Sequence, residues 1–266
     1  MPKSLCEGNV MSEAHKIGTK VRRLPGQSLR EELDERFDKK VLFPFLAAGM
    51  GVMALISESI HAFFNVKPNV GVWATISLTL IVYAAVSIYR NFNKFKSIRR
   101  GEQGELIVAQ IIERDLLPNG YVVFHDVQLE DGKKRFNIDH LLIGPNGVFV
   151  IETKNYSKPK RGEVKVSYDG KRVRWNGVAH KEDEARQAVA IAMAAKDFIF
   201  KETGVKVYVK PVLCAVGWYA VSDDLFRHPA LLLMEKQLGT IIPKVYPKVQ
   251  LSEQDHNLII AKLSSL

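Results

Sequence analysis

Cysteine is almost absent from this 266-residue chain: Cys6 and Cys214 are too few for a disulfide scaffold or a cysteine-ligated zinc site. Cys214 lies in the apolar run VLCAVG and reads as a reduced core thiol. The seven histidines are scattered, and the chain has no GxxxxGKS/T phosphate loop, no HExxH and no GxSxG. P-loop, zincin and nucleophile-elbow chemistry are thereby left without a foundation. The opening residues do not have the shape of a signal peptide, with no short apolar core and small-residue cleavage site, so none is expected. No repeat or low-complexity tract is present. Charge is scarce in one long stretch: between Val41 and Tyr89 only Glu58, His61 and Lys67 can carry charge near neutral pH.

That stretch explains why a mean hydropathy of −0.05 describes no part of the chain well. With 25% charged and 47% hydrophobic residues the composition is that of a globular protein. A formal charge of +9 favours an acidic partner, either nucleic acid or an anionic membrane surface. Residues 1–40 carry nine Lys/Arg and seven Asp/Glu with few large apolar side chains, and read as a polar tail. Residues 29–40, LREELDERFDKK, suit a helix leading into a membrane.

Residues 41–64 and 70–89 each have about the length a helix needs to cross ~30 Å of hydrocarbon. NVKPN between them is a short turn, so they are expected to form a transmembrane hairpin over 41–89. Pro44 is tolerable near a helix start, and the SESIH cluster falls where it can reach the far interface. Lys39 and Lys40 precede the first span, and Arg90, Lys94, Lys96, Arg99 and Arg100 follow the second, against Lys67 in the loop. By the positive-inside rule both termini are expected in the cytoplasm, with the protein in the cell membrane. The alternative is a pair of buried helices in a soluble α domain. Glu58 and His61 read as headgroup or solvent contacts, with an intramembrane function as the other possibility.

After a basic linker over 90–100, residues 101–266 read as one mixed α/β domain. GEQGELIVAQIIERDLL has helical apolar spacing and is ended by Pro118–Gly120. Strand patterns follow at YVVFHDV, RFNIDHLLI and GVFVIETK, with shorter ones near EVKVSYDG and KRVRW. A helix is expected over Lys181–Glu202, strand again in VKVYVKPVLCAVG and in LLLM, and a closing helix in SEQDHNLIIAKLSSL. Ser252 and Asp255 have the spacing of a helix N-cap.

The chemistry concentrates in NIDHLLIGPNGVFVIETKN, residues 137–155. Pro145 fixes φ near −65°, which suits a type I turn and not a primed two-residue turn. GPNG is therefore expected as a four-residue loop closed by Ile143 opposite Val148. That antiparallel register sets Asp139 opposite Glu152, with Lys154 on the same face. Two facing carboxylates repel, and ask for a cation or a raised pKa. A hard divalent ion, Mg²⁺ or Mn²⁺, suits such oxygen donors. Lys154 beside it would position a water or stabilise charge on a phosphodiester under attack. The alternative is an ordinarily solvated end of a surface hairpin. His140, next to Asp139, is expected to point to the opposite face as a packing or hydrogen-bonding residue.

The order GEQGE on a first helix, then NIDHLLIGPNGVFVIETKNY, then a helix bearing Gln187, resembles the nuclease-related domain family, NERD. That family is similar in turn to the PD-(D/E)xK nuclease superfamily, and the likeness covers roughly Gly101 to Ala220. It implies a restriction-endonuclease-like mixed sheet flanked by helices, with Asp139 and Glu152 binding metal and Lys154 catalytic. It further implies that Glu105 completes or neighbours the metal site and that Gln187 orients substrate or an active-site group. DEAR precedes Gln187 where many relatives carry an Asn-Pro pair. For Glu105 the other reading is a helix-start acid favoured by the macrodipole.

From Lys154 to Trp175 eight Lys/Arg face Glu163 and Asp169, a local +6, and residues 90–100 add +5. The second cluster suits a membrane anchor. The first, with Tyr156, Tyr168 and Trp175 interleaved, is expected to follow phosphates and stack on an unpaired base, or to be a solvated basic hairpin. The combined expectation is a membrane-anchored, metal-dependent nuclease acting on DNA, with RNA not excluded, in DNA processing or restriction. Its rival is a non-catalytic module that binds nucleic acid or a partner at the membrane.

Overall fold

The computed structural model describes residues 23–64, 69–131, 134–222, 225–247 and 249–265. The expected tail up to residue 22, Cys6, and the turn residues 65–68 with Lys67 lie outside the described residues. Two compact units are present: Ser28–Glu102, and Gln103–Leu266 together with the segment ending at Gln27.

In the first unit α1 (Gln27–Phe37) passes through a π-helical turn (Asp38–Leu42) into α2 (Phe43–Phe63), and α3 spans Val70–Asp115. Pro44 accounts for the π turn. Its ring has no N–H and crowds the carbonyl four residues back, that of Lys40. Ser87 Oγ on α3 donates to that Lys40 carbonyl at 2.7 Å. Further along the pair, Ser77 Oγ donates to the Gly51 carbonyl at 2.6 Å. A Cβ at Gly51 would lie 3.2 Å from Ser77 Cα, so glycine lets the backbones approach. The two contacts run in opposite chain directions and define an antiparallel helical hairpin. Both helices are long and apolar enough to cross a membrane.

Residues 90–100 are helical, within α3, where the sequence suggested a linker ahead of a separate helix. Nothing between Tyr89 and Gly101 breaks a helix, and the apolar spacing of residues 106–116 continues in the same helical phase.

The second unit is built on a five-stranded mixed sheet of order β1-β2-β3-β6-β8, flanked by helices as expected. Its strands are β1 (Val122–Asp131), β2 (Lys134–Gly144), β3 (Gly147–Lys154), β6 (Val209–Ala215) and β8 (Leu231–Met234). A smaller sheet of order β5-β4-β7 uses β4 (Lys165–Tyr168), β5 (Val173–Trp175) and β7 (Tyr219–Ser222). The helices are the end of α3, α4 (Glu184–Thr203), a short α5 (Leu238–Ile241) and α6 (Glu253–Ser264). Asp183 caps α4, accepting from the Arg186 N–H, and Gly204 at φ +74° ends it. Ser252 caps α6 by accepting from the Asp255 N–H.

Alternation along β3 divides the core between two faces. Val148 and Val150 pack with Ile191, Ala195 and Ile199 of α4 and with Ile259 and Leu263 of α6. Phe149 and Ile151 pack with Val108, Ile112 and Leu116 of α3. The strand is thus apolar on both sides until its last three residues, Glu152, Thr153 and Lys154, where polar groups take over and the first two stay buried.

Candidate active site

The β2–β3 register is the expected one: Ile143 opposes Val148 and His140 opposes Ile151. The loop is shorter than expected, because Gly144 also pairs with Gly147 and leaves Pro145–Asn146 as a two-residue turn. Gly147 at φ +126° supplies a backbone conformation that side chains disfavour, so the strands stay paired while Pro145 keeps its negative φ.

Pairing stops after His140–Ile151, at the rung where Asp139 and Glu152 would meet. Asp139 Oδ2 instead accepts the Thr153 backbone N–H at 2.6 Å. The β1–β2 ladder skips the same level: His125 pairs with His140 and Val127 with Ile138, but Asp126 and Asp139 do not pair. Asp126 has φ +49°, a left-handed conformation that Asp tolerates better than most residues. The sheet is therefore irregular where its carboxylates gather.

Asp139, Glu152 and Glu105 are 8%, 3% and 5% exposed, which puts three carboxylates in a setting where burial penalises charge. Burial, then repulsion from Glu152 and Glu105, drives the Asp139 carboxyl well above its usual range. Burial, then Asp126, pushes Glu105 up to about 8. The Gly26 backbone N–H donates to Glu105 and opposes that rise. Lys154 Nζ donates to Glu152 Oε1 at 2.7 Å and to Gln187 Oε1 at 3.3 Å. Burial works against the Lys154 ammonium, but Glu152 and Asp139 outweigh it and raise its pKa, so it stays charged.

All five predicted residues are thus gathered in one place: Asp139 on β2, Glu152 and Lys154 on β3, Gln187 on α4 and Glu105 on α3. Among the described residues no three His, Cys, Asp or Glu side chains are close enough to cage a metal ion by themselves. The donor set nonetheless fits a hard cation. Oε2 of Glu105 and Oε2 of Glu152 are buried with no hydrogen-bond partner, a costly state that a divalent ion would relieve.

His140 is fully buried, its Nδ1 2.7 Å from Nδ1 of His125. One ring must donate and the other accept, and burial lowers the pKa of both.

Sequence reasoning missed two groups. Glu184, in the first turn of α4, accepts at one oxygen from His180 Nδ1 (2.7 Å), Trp175 Nε1 (3.1 Å) and Tyr156 OH (3.2 Å). It ties the chain just beyond Lys154 to the helix that carries Gln187. Arg23 was read as part of a polar tail, yet its Nε donates to buried Asp126 at 2.7 Å. The expected base-stacking aromatics are corrected too. Tyr168 and Trp175 are each 4% exposed and belong to the core beneath the small sheet, so neither can receive a base.

Residues 100–216 match the nuclease-related domain family, NERD. Of the curated proteins, an uncharacterized protein of Bacillus anthracis, pXO1-01, is 42% identical over 59 residues, 21% of this chain. The chain spans only 27% of that relative's length. Among solved structures, Can2 from Sulfobacillus thermosulfidooxidans, in complex with cyclic tetra-adenylate, is similar at a TM-score of 0.31 and 12% identity. That alignment covers 93% of this chain and 59% of Can2. The hairpin bearing Asp139, Glu152 and Lys154 lies wholly inside the matched stretch, as do Glu105 and Gln187, whereas Arg23 and Gly26 lie outside it.

Proposed function

We propose that the protein is a membrane-anchored, metal-dependent nuclease that hydrolyses phosphodiester bonds of DNA at the cytoplasmic face, in DNA processing or restriction. The observation that carries this reading is the convergence of Asp139, Glu152, Lys154 and Gln187 at the end of β3, inside a nuclease-related domain. Asp139, Glu152 and Glu105 would hold Mg²⁺ or Mn²⁺, which when bound supplies a Lewis acid for the phosphate and a more acidic water. Lys154 is held charged by Glu152 and stands ready to orient the attacking water or to neutralise charge that builds on phosphorus. Gln187 reaches the same ammonium from α4 and limits where it can point.

The membrane assignment is supported by the two long apolar helices, and the basic residues that flank them favour a topology with both termini in the cytoplasm. Anionic lipid is then a second partner for residues 90–100.

A non-catalytic nucleic-acid-binding or partner-binding module is the competing reading, favoured by how little of the carboxylate cluster is exposed. The discriminating experiment uses the full chain in detergent with linear and single-stranded DNA, RNA, and Mg²⁺ or Mn²⁺. Cleavage is expected in the wild type, and loss of at least about 100-fold in Asp139→Ala/Glu152→Ala and in Lys154→Ala. Cleavage that survives the double substitution would sink the site. Binding without cleavage under every metal would establish the module instead.

A further inference from the structure

The described chain begins with a short segment, Arg23–Gly26, that lies against the second unit and outside the NERD match. Arg23 forms an antiparallel bridge with His125 on β1, the outermost strand of the main sheet. Its guanidinium and the Asp126 carboxylate are 3% and 0% exposed, a buried ion pair at 2.7 Å. Asn137 Nδ2 donates to the other Asp126 oxygen at 2.9 Å. Asp126 stands at the sheet level of Asp139, and three residues after Arg23 the Gly26 N–H donates to Glu105.

We propose that Arg23 and Gly26 are positioning residues of the carboxylate site, acting on Asp126 and Glu105 respectively. This rests on the reading of Glu105 as part of the metal site. Four acidic side chains meet here, and basic side chains answer two of them: Lys154 on Glu152, and Arg23 on Asp126. By engaging Asp126, Arg23 takes that carboxylate out of competition for a cation and leaves Asp139, Glu152 and Glu105 to receive it. The same docking delivers the Gly26 amide, which occupies one oxygen of Glu105 while Oε2 stays without a partner. Without Arg23 the buried Asp126 carboxylate loses its guanidinium partner at 2.7 Å, the segment leaves β1, and Glu105 loses the donor that orients it. The functional site of this chain therefore extends to residues more than seventy positions ahead of the NERD domain.

A double-mutant cycle on the full chain in detergent tests the assignment, with Mn²⁺ binding read from the free-ion electron paramagnetic resonance signal. Arg23→Gln should weaken Mn²⁺ binding by about tenfold, as loss of an outer-shell partner does. Arg23→Lys, which keeps the charge, should recover part of it. In a Glu105→Gln background Arg23→Gln should cost nothing further. Unchanged Mn²⁺ binding in Arg23→Gln overturns the proposal, and so does an equal loss in both backgrounds, which marks a general structural defect. If the wild type binds no Mn²⁺, the metal reading has failed, and the cycle is read from melting temperatures instead. Non-additive shifts for Arg23→Gln and Glu105→Gln then uphold the link between the segment and Glu105, and additive shifts overturn it.

Discussion

Glu105 shows how one side chain can carry a pH dependence for the whole site. Its carboxyl is raised by burial and by Asp126 to about 8, from an ordinary value of 4.5. Without metal the folded protein keeps a proton that the unfolded chain gives up above pH 4.5, so this group's contribution to stability falls as pH rises from 4.5 to about 8. Metal must displace the same proton. Mn²⁺ affinity should therefore climb with pH and level off above about 8, and Glu105→Gln should flatten part of that climb in a titration series. A Mn²⁺ affinity independent of pH between 6 and 8.5 would falsify the account (about two pH units spanning the raised pKa). Asp139, Glu152 and Lys154 were legible in the sequence because a hairpin register is local: one turn and one alternation rule place all three. Gln187 needed the family resemblance. Arg23 was not legible, because its partner Asp126 is 103 residues away and a charged side chain in a polar tail carries no sign of burial.

At the level of elements, the small sheet is defined by its alternation. Val166 and Tyr168 share one face of β4, and Val173 and Trp175 share one face of β5, so each aromatic stands beside a valine. That spacing marks an apolar inner face, and Lys165, Ser167 and Arg174, at the alternate positions, mark the outer one. Reading the run by composition alone produced the expectation of base stacking, whereas its period of two points inward. β7 escaped notice because Tyr219–Ser222 is only four residues long and pairs in parallel with the distant β4. What joins this sheet to α4 is Glu184. Glu184→Ala strands three donors, on His180, Trp175 and Tyr156, and should lower stability by about 3 kcal/mol. Glu184→Gln retains an acceptor oxygen and should cost about half of that or less. Thermal melts of the two variants check the order. Equal losses would mean that packing, not hydrogen bonding, holds the joint.

Across the molecule, the net +9 resolves into places. Residues 90–100 lie on α3 just after its apolar stretch, and the remaining concentration follows Lys154. Lys158, Lys160, Arg161, Lys165, Lys171 and Arg172 are exposed, while Arg174 is taken by Asp169 at 2.6 Å. If this surface binds nucleic acid as proposed, these are the exposed cations in the stretch that would meet phosphates. Replacing Lys160, Arg161 and Lys165 by Glu should weaken DNA binding and reduce its logarithmic salt slope by about one for each phosphate no longer neutralised. Mn²⁺ binding should not change. A salt slope unaltered by the triple substitution would move the nucleic-acid surface elsewhere. The overall architecture, a helical hairpin followed by a mixed sheet flanked by helices, was readable because each part has its own hydrophobic period. The continuity of α3 was not, since a polar linker and a polar stretch of helix have the same composition.

The hydrogen bonds at the carboxylates bear on how an ion would be held in time as well as in space. Asp139 gives one oxygen to the Thr153 amide, Glu152 gives one to Lys154, and Glu105 gives one to the Gly26 amide. Each side chain can then offer a single oxygen, so a Mg²⁺ ion taken up here would depend heavily on solvent and phosphate for its remaining ligands. An ion held in that way would be a visitor and not a resident. It should wash out on dialysis, exchange quickly, and be retained longest when a polyanion arrives with it, so that metal and nucleic acid bind as cooperative co-ligands.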